Sequence, residues 1–228
     1  MKEIRLIEIL KGLNHGEQKR LSEFIRSPFF NKNPVVISLH DYIMNRLNAA
    51  DTSGLDKTSV WNSIFPGQKF NDQKLRTQLS HLKKLCENFI AVGSAENNLI
   101  RYNILQLEFY GKKNMTKNFN AVNNELNGHF ENEFNRNFDF YANYLSFERA
   151  VLSQKGKNIE KDIDWIYFGM SDNIDRYFIS AKLELINSLL SRKYHFLGNI
   201  MPNIKFIDEV VTFIEENTTS FEKNDPLI

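Results

Sequence analysis

The stretch from Asn71 to Val92 has its apolar residues at alternating steps of four and three. This spacing places them on one face of a helix. The residues on that face are Leu75, Leu79, Leu82, Cys86 and Phe89. Asn71 is a favourable N-cap, Asp72 places a negative charge in the first turn, and Gly93 follows where a helix end is expected. The pattern predicts a long amphipathic helix around which the chain is organised.

The residues before this helix predict a helix at the N-terminus and three more that begin at capping residues. Those capping residues are Asn14, Asn33 and Asp56. Glu17 stands three positions after Asn14, which forms a variant of the capping box. Pro34 follows Asn33 at the first helical position, where proline is favoured. Ser27 is predicted to end the second helix, because a residue before proline is pushed out of helical geometry.

The second part of the chain predicts long helices. Their predicted spans are Glu96 to Tyr110, Met115 to Phe134, Phe138 to Ser153, Ile159 to Gly169, Asp172 to His195 and Ile204 to Glu216. An aromatic set near the middle is predicted to form an interlocked core rather than a ligand site. Its members are Phe130, Phe134, Phe138, Phe140, Tyr141, Tyr144 and Phe147.

Three joints between these helices resemble one another. Lys113 to Phe119 is similar to Lys157 to Ile163, 44 residues further on, and a weaker copy, Asn203 to Ile207, follows after another 45. Such a period predicts a helix-hairpin solenoid of the tetratricopeptide or HEAT type, although no specific repeat consensus matches. We therefore expect an all-α chain with a compact helical domain over 1–93 and an irregular repeat region over 94–228.

The last residues, Asn224 to Ile228, have the order of a helix start: a cap, a first-turn proline and apolar residues. This order predicts that the repeat region continues beyond Ile228 in the natural chain.

Composition narrows the function classes. The chain carries 29 basic and 28 acidic residues, for a net charge of +1, which gives no reason to expect a broad nucleic-acid or anionic-membrane surface but does not exclude a local patch. No apolar run approaches the ~18 residues of a membrane span. The chain has one cysteine, Cys86, which is predicted to be a buried small hydrophobe. These features predict a cytoplasmic protein without an intrachain disulfide.

Motifs for catalysis and for cofactor or metal binding are not found. The five histidines have no metal-ligand spacing, and the glycine-rich phosphate loops and nucleophile motifs do not occur. No catalytic, cofactor-binding or metal-binding residue is predicted, and we expect a protein that is not an enzyme. A pocket that gathers His with Asp or Glu from distant helices would reopen the enzyme hypothesis.

Basic residues on the central helix suggest nucleic-acid binding. They are Lys74, Arg76, His81, Lys83 and Lys84. Ser59 to Pro66 followed by Leu75 to Leu85 resembles winged-helix regulators, some of which carry a tetratricopeptide-like domain after the DNA-binding domain. That resemblance implies that the five residues contact DNA. Two observations oppose it: on a helical wheel the basic residues flank the apolar stripe instead of forming one face, and Ala91 to Asn98 predicts no β-hairpin wing.

The turn from Ser27 to Asn31 offers a second candidate surface. Exposed Phe29 and Phe30, with Asn31, would form a hot spot for a partner protein, whereas folded-back rings would fill the joint between two helices. The second interpretation is favoured. With the three residues before it, this turn reads FIRSPFFN and resembles an element of uncharacterised, long, all-helical bacterial proteins, which implies no known activity.

The leading hypothesis is a non-catalytic helical-repeat scaffold that binds a protein partner along a concave surface. The alternative is a DNA-binding transcription regulator with a winged-helix-like N-terminal domain.

Overall fold

The structure is a computed structural model that describes residues 2–49, 53–155, 164–195 and 204–218. These residues form ten α-helices and contain no β-strand, which confirms the all-α prediction. The chain divides into two compact units, which we call unit 1 (Met1–Asn97) and unit 2 (Asn98–Ile228). Each unit is described separately.

Unit 1 contains five helices whose starts follow the predicted caps. They are α1 (Lys2–Gly12), α2 (His15–Arg26), α3 (Pro34–Asn48), α4 (Lys57–Ile64) and α5 (Asp72–Glu96). The capping box is complete, because the Asn14 side chain accepts from the Glu17 amide at 3.0 Å and Glu17 accepts from the Asn14 amide at 2.7 Å. Ser27 ends α2 in an extended conformation, as predicted.

Helix α5 is the centre of unit 1, since it contacts each of α1 to α4. Its stripe is buried at Leu75, Leu82 and Cys86, and Leu79 is half-buried. Trp61 of α4 is also buried, and its indole Nε1 donates to the carbonyl oxygen of Gln68 at 3.0 Å. Fully burying a leucine side chain contributes about 1.5–3 kcal/mol, so this stripe supplies much of the stability of unit 1.

The predicted end of α5 at Gly93 is wrong. The helix continues to Glu96, with Asn97 as its C-cap, and Asn98 then caps the next helix. A single glycine weakens a helix by roughly 1 kcal/mol, which the surrounding turns tolerate. The boundary between the units therefore lies between Asn97 and Asn98, four residues beyond the expected one.

Unit 2 contains the other five described helices. They are α6 (Leu99–Lys112), α7 (Thr116–Asn132), α8 (Phe138–Lys155), α9 (Asp164–His195) and α10 (Ile207–Glu216). The predicted break between Gly169 and Asp172 is wrong, because α9 is continuous through it. Nothing in this segment removes a backbone donor, as a proline would, so the helix passes through it.

The packing order in unit 2 joins neighbouring helices. Helix α6 packs against both α7 and α8, and α8 packs against α9. Rings of the predicted aromatic core interlock, since Phe130 contacts Phe140, Tyr144 and Phe147 with centroid distances of 4.8–5.6 Å. Phe134 does not join them, because it lies between α7 and α8 and is 88% exposed.

The structure describes only the first of the three predicted joints in full. In the first joint, Asn114 adopts a left-handed conformation with φ of 55°, where an asparagine is tolerated. The second joint falls on residues 157–163, of which the structure describes none. The third falls partly outside the described residues, and α10 begins at Ile207, three residues later than predicted. The residues from Asn224 to Ile228 also lie outside the described ranges.

Candidate functional site

A groove of about 690 Å³ runs along the outer face of α5, and we call it the α5 groove. Half of its lining residues are basic: Lys57, Arg76, His81, Lys83 and Lys84. Leu6 of α1 and Leu79 provide apolar lining, and Thr77 and Ser80 contribute hydroxyl groups. Because residues three, four, seven and eight positions apart share a helix face, α5 brings the side chains of its middle turns to one surface.

Asp72 holds two of the cations in place. Its carboxylate accepts from Lys57 Nζ at 2.8 Å and lies 2.7 Å from Arg76 Nε. The hydrogen bond from Lys57 and the charge of Arg76 lower the pKa of Asp72. The carboxylate therefore remains charged at neutral pH and keeps the two basic groups side by side at the start of α5.

The other three basic residues continue the groove along the helix. Lys83 Nζ pairs with Glu87 one turn later at 2.7 Å. Lys84 and His81 are exposed, and Lys84 makes no ion pair with any residue that the structure describes. Lys84 is thus the cation of the groove that is most available to a ligand.

Lys74 lies apart from the groove. Its Nζ sits 4.2 Å from the centre of the Phe65 ring and hydrogen-bonds to the side-chain oxygen of Gln68 at 3.2 Å. The structure therefore brings together four of the five basic residues that the sequence singled out on this helix. This differs from the helical-wheel expectation, since His81 and Lys84 share the groove with Arg76 and Lys83.

The aromatic turn after α2 separates its two rings. Phe30 stacks on Phe24 with a centroid distance of 3.9 Å, whereas Phe29 is 86% exposed. The side-chain Nδ2 of Asn31 donates to the carbonyl oxygen of Ile25 at 3.0 Å. Its side-chain oxygen also accepts from the Asn33 amide at 2.9 Å. Asn31 therefore shapes the turn, and Phe29 is the member of the predicted partner-binding set that is presented outward.

Helix α6 carries an apolar surface that the sequence analysis missed, which we call the α6 stripe. It consists of Leu99, Tyr102, Leu105 and Phe109. Each of these side chains is between 41% and 64% exposed, while Ile104 and Leu107 on the other side of the helix are buried. The spacing of three, three and four was visible in the sequence. It was not distinguishable there from the buried face of the same helix.

A second, smaller cavity of about 290 Å³ lies in unit 2 between α7, α8 and α9. Aromatic rings of Phe140 and Tyr144 and the guanidinium groups of Arg136 and Arg176 line it. Beside it, burial raises the pKa of the Glu148 carboxyl to about 7, although a hydrogen bond from Asn173 opposes the shift. Sequence reasoning did not identify this set, because its members come from the loop before α8, from α8 and from α9.

The remaining reactive groups lie inside unit 1. His40 is buried and its Nδ1 lies 3.1 Å from the Asp41 carboxylate, while burial lowers its pKa. Cys86 is fully buried, as predicted, and desolvation raises the pKa of its thiol to about 12. Among the described residues, no group of three or more His, Cys, Asp or Glu side chains is arranged to hold a metal ion.

None of the helices in the described part of the chain combines the length and the apolar character needed to cross a lipid bilayer. Comparisons with known protein families, with curated proteins and with solved structures found no match to this chain.

Proposed function

We propose that the protein is a non-catalytic helical-repeat scaffold that binds an amphipathic helix of another protein through the α6 stripe. The observation that carries this proposal is a run of four large apolar side chains left exposed on a helix whose opposite face is buried. Contiguous exposed apolar surface of this kind marks interaction sites in monomeric proteins.

The repeat architecture of unit 2 is part of the proposal. Its support is the packing order, in which α6 pairs with α7, α8 pairs with α9, and α6 also packs on α8. Stacked hairpins pack in this way, since each pair covers the apolar face of its neighbour. In such an array the first helices of successive pairs present their free sides to a ligand.

The dimensions of the stripe favour a helical ligand. Its ends are ten residues apart on the helix, or about 15 Å at 1.5 Å per residue. The Glu108 and Lys112 side chains, 3.7 Å apart, form a charged pair on the same helix. An amphipathic helix can place its own apolar face along such a stripe.

The experiment compares full-length bait proteins in quantitative affinity capture. Leu105→Asp/Phe109→Asp places two charges in the stripe, and Tyr167→Asp/Phe168→Asp is the matched control, because it adds two charges at exposed aromatic residues of α9. We expect one set of helical partners to be captured by the wild type and the control and to be lost, by at least tenfold, with the stripe variant. Circular dichroism verifies that each bait is folded.

Two results contradict the proposal. Capture of the same proteins by the stripe variant would show that the stripe is not part of the interface. Concentration-dependent dimerisation of the wild type that the stripe variant loses, measured by sedimentation, would assign the stripe to a second copy of this chain.

A further inference from the structure

Positive charge is concentrated in the α5 groove, although the net charge of the whole chain is close to zero. No acidic residue is among the described residues that line it. Its four permanent cations and the two carboxylates paired with them, Asp72 and Glu87, leave a net charge of +2. The whole chain carries a net charge of only +1, so the groove is more positive than the chain as a whole.

The shape of the groove suits a linear ligand. It follows α5 from Gln73 to Lys84, which is about 17 Å at 1.5 Å per residue. One strand of a duplex carries a phosphate per about 3.4 Å of helix axis, so a groove of this length can contact several phosphates. Leu6 and Leu79, which also line the groove, are uncharged and would not repel a phosphate.

The groups along the groove are also those that contact phosphates. Arg76 uses Nε for Asp72, and its side chain is 60% exposed. Lys84 is exposed and makes no ion pair with the residues that the structure describes, and Ser80 lies between Arg76 and Lys84 on the helix. Arginine, lysine and serine side chains are among the groups that contact phosphate oxygens.

We propose that the α5 groove binds the sugar–phosphate backbone of a nucleic acid, with Arg76, Lys83 and Lys84 contacting successive phosphates. Binding through phosphates positions a strand without reading its sequence. The site is separate from the α6 stripe and does not depend on it.

Fluorescence anisotropy of the full-length protein with labelled oligonucleotides over a series of salt concentrations tests the proposal. Lys83→Gln/Lys84→Gln removes two cations from the groove, and Lys84→Gln alone removes one that forms no ion pair within the described part of the chain. Lys11→Gln/Lys19→Gln is the matched control, because both lysines are exposed on α1 and α2 outside the groove. Circular dichroism establishes that all variants are folded.

We expect the wild type and the control to bind with the same salt dependence. The double groove variant is expected to reduce the slope of log affinity against log salt by about 1.8 on duplex DNA, or by about 1.4 on single strands. The single variant is expected to give half of that change. Parallel measurements with duplex DNA, single-stranded DNA and single-stranded RNA identify which backbone fits.

Three results would overturn the proposal. The first is no binding to any of these oligonucleotides at low salt. The second is an equal loss in the control variant, which would show that general charge and not the groove is responsible. The third is equally tight binding of polyglutamate of the same length with the same salt dependence, which would show attraction to any polyanion.

Discussion

The positions and pKa values of individual side chains in this protein depend on neighbours outside their own helix. The ammonium group of Lys74 lies over the rings of Trp61 in α4 and Phe65 just after it, and not in the α5 groove. Glu148 has a raised pKa because α9 covers it and provides a single donor, Asn173. Both facts depend on how helices pack, and helical spacing within one segment cannot reveal them.

Glu148 is expected to make the stability of the protein depend on pH. Its pKa is about 7 in the folded protein and 4.5 ordinarily, so between these values the native state binds more protons than the unfolded state. The free energy of unfolding should therefore fall as pH rises from about 4.5 to 7. Urea unfolding at pH 5 and pH 8 measures this change, and Glu148→Gln should reduce it and be more stable than the wild type at pH 8. An unchanged pH dependence in the variant would contradict the assignment.

The starts of α2 to α5 were predictable from local capping residues, whereas the starts of α6 and α10, the end of α5 and the continuity of α9 were not. Asn14, Asn33 and Asp56 each begin a helix because their side chains accept from amides within three residues. Gly93 and Gly169 lie inside helices although glycine favours helix ends. A glycine ends a helix only when its left-handed conformation is used, and the residue type alone does not determine that.

The interior position of Gly93 predicts a stabilising substitution. A Cβ atom there would meet no atom within 4 Å, and alanine loses less conformational entropy than glycine in a helix. Gly93→Ala should raise the free energy of unfolding by about 0.5–1 kcal/mol. Gly67→Ala is the matched control and should lower it by about 1–2 kcal/mol, because Gly67 has φ of +74°. Urea denaturation measures both, and a destabilised Gly93→Ala variant would show that the helix ends earlier.

At the scale of the whole molecule, composition and helical periodicity predicted the fold class and two parts of the chain. They did not predict the α5 groove, because its lining comes from α1 and α4 as well as from α5. They also did not separate the α6 stripe from the core, since both faces of that helix are apolar. A surface that several helices form can be predicted only if the relative positions of those helices are known. The sequence of one segment does not give these positions.

Unit 1 is expected to fold without unit 2. Its apolar core is contributed by all five of its helices, and α5 contacts each of the others. A fragment of residues 1–97 should be helical and unfold in one cooperative transition. It contains one tryptophan, Trp61, which is buried, so its fluorescence should be blue-shifted and should move to the red on unfolding. A fragment with exposed-tryptophan emission and no transition would show that unit 1 requires the rest of the chain.

The fully enclosed thiol of Cys86 gives this protein a natural reporter of breathing motions. It is the single thiol of the chain, and a reagent such as a maleimide reaches it only after the helices around α5 separate. The labelling rate therefore records how often the interior of unit 1 opens, without any introduced probe. Nucleic acid bound in the α5 groove would stabilise the closed form of unit 1. The thiol should therefore be labelled more slowly when nucleic acid is present.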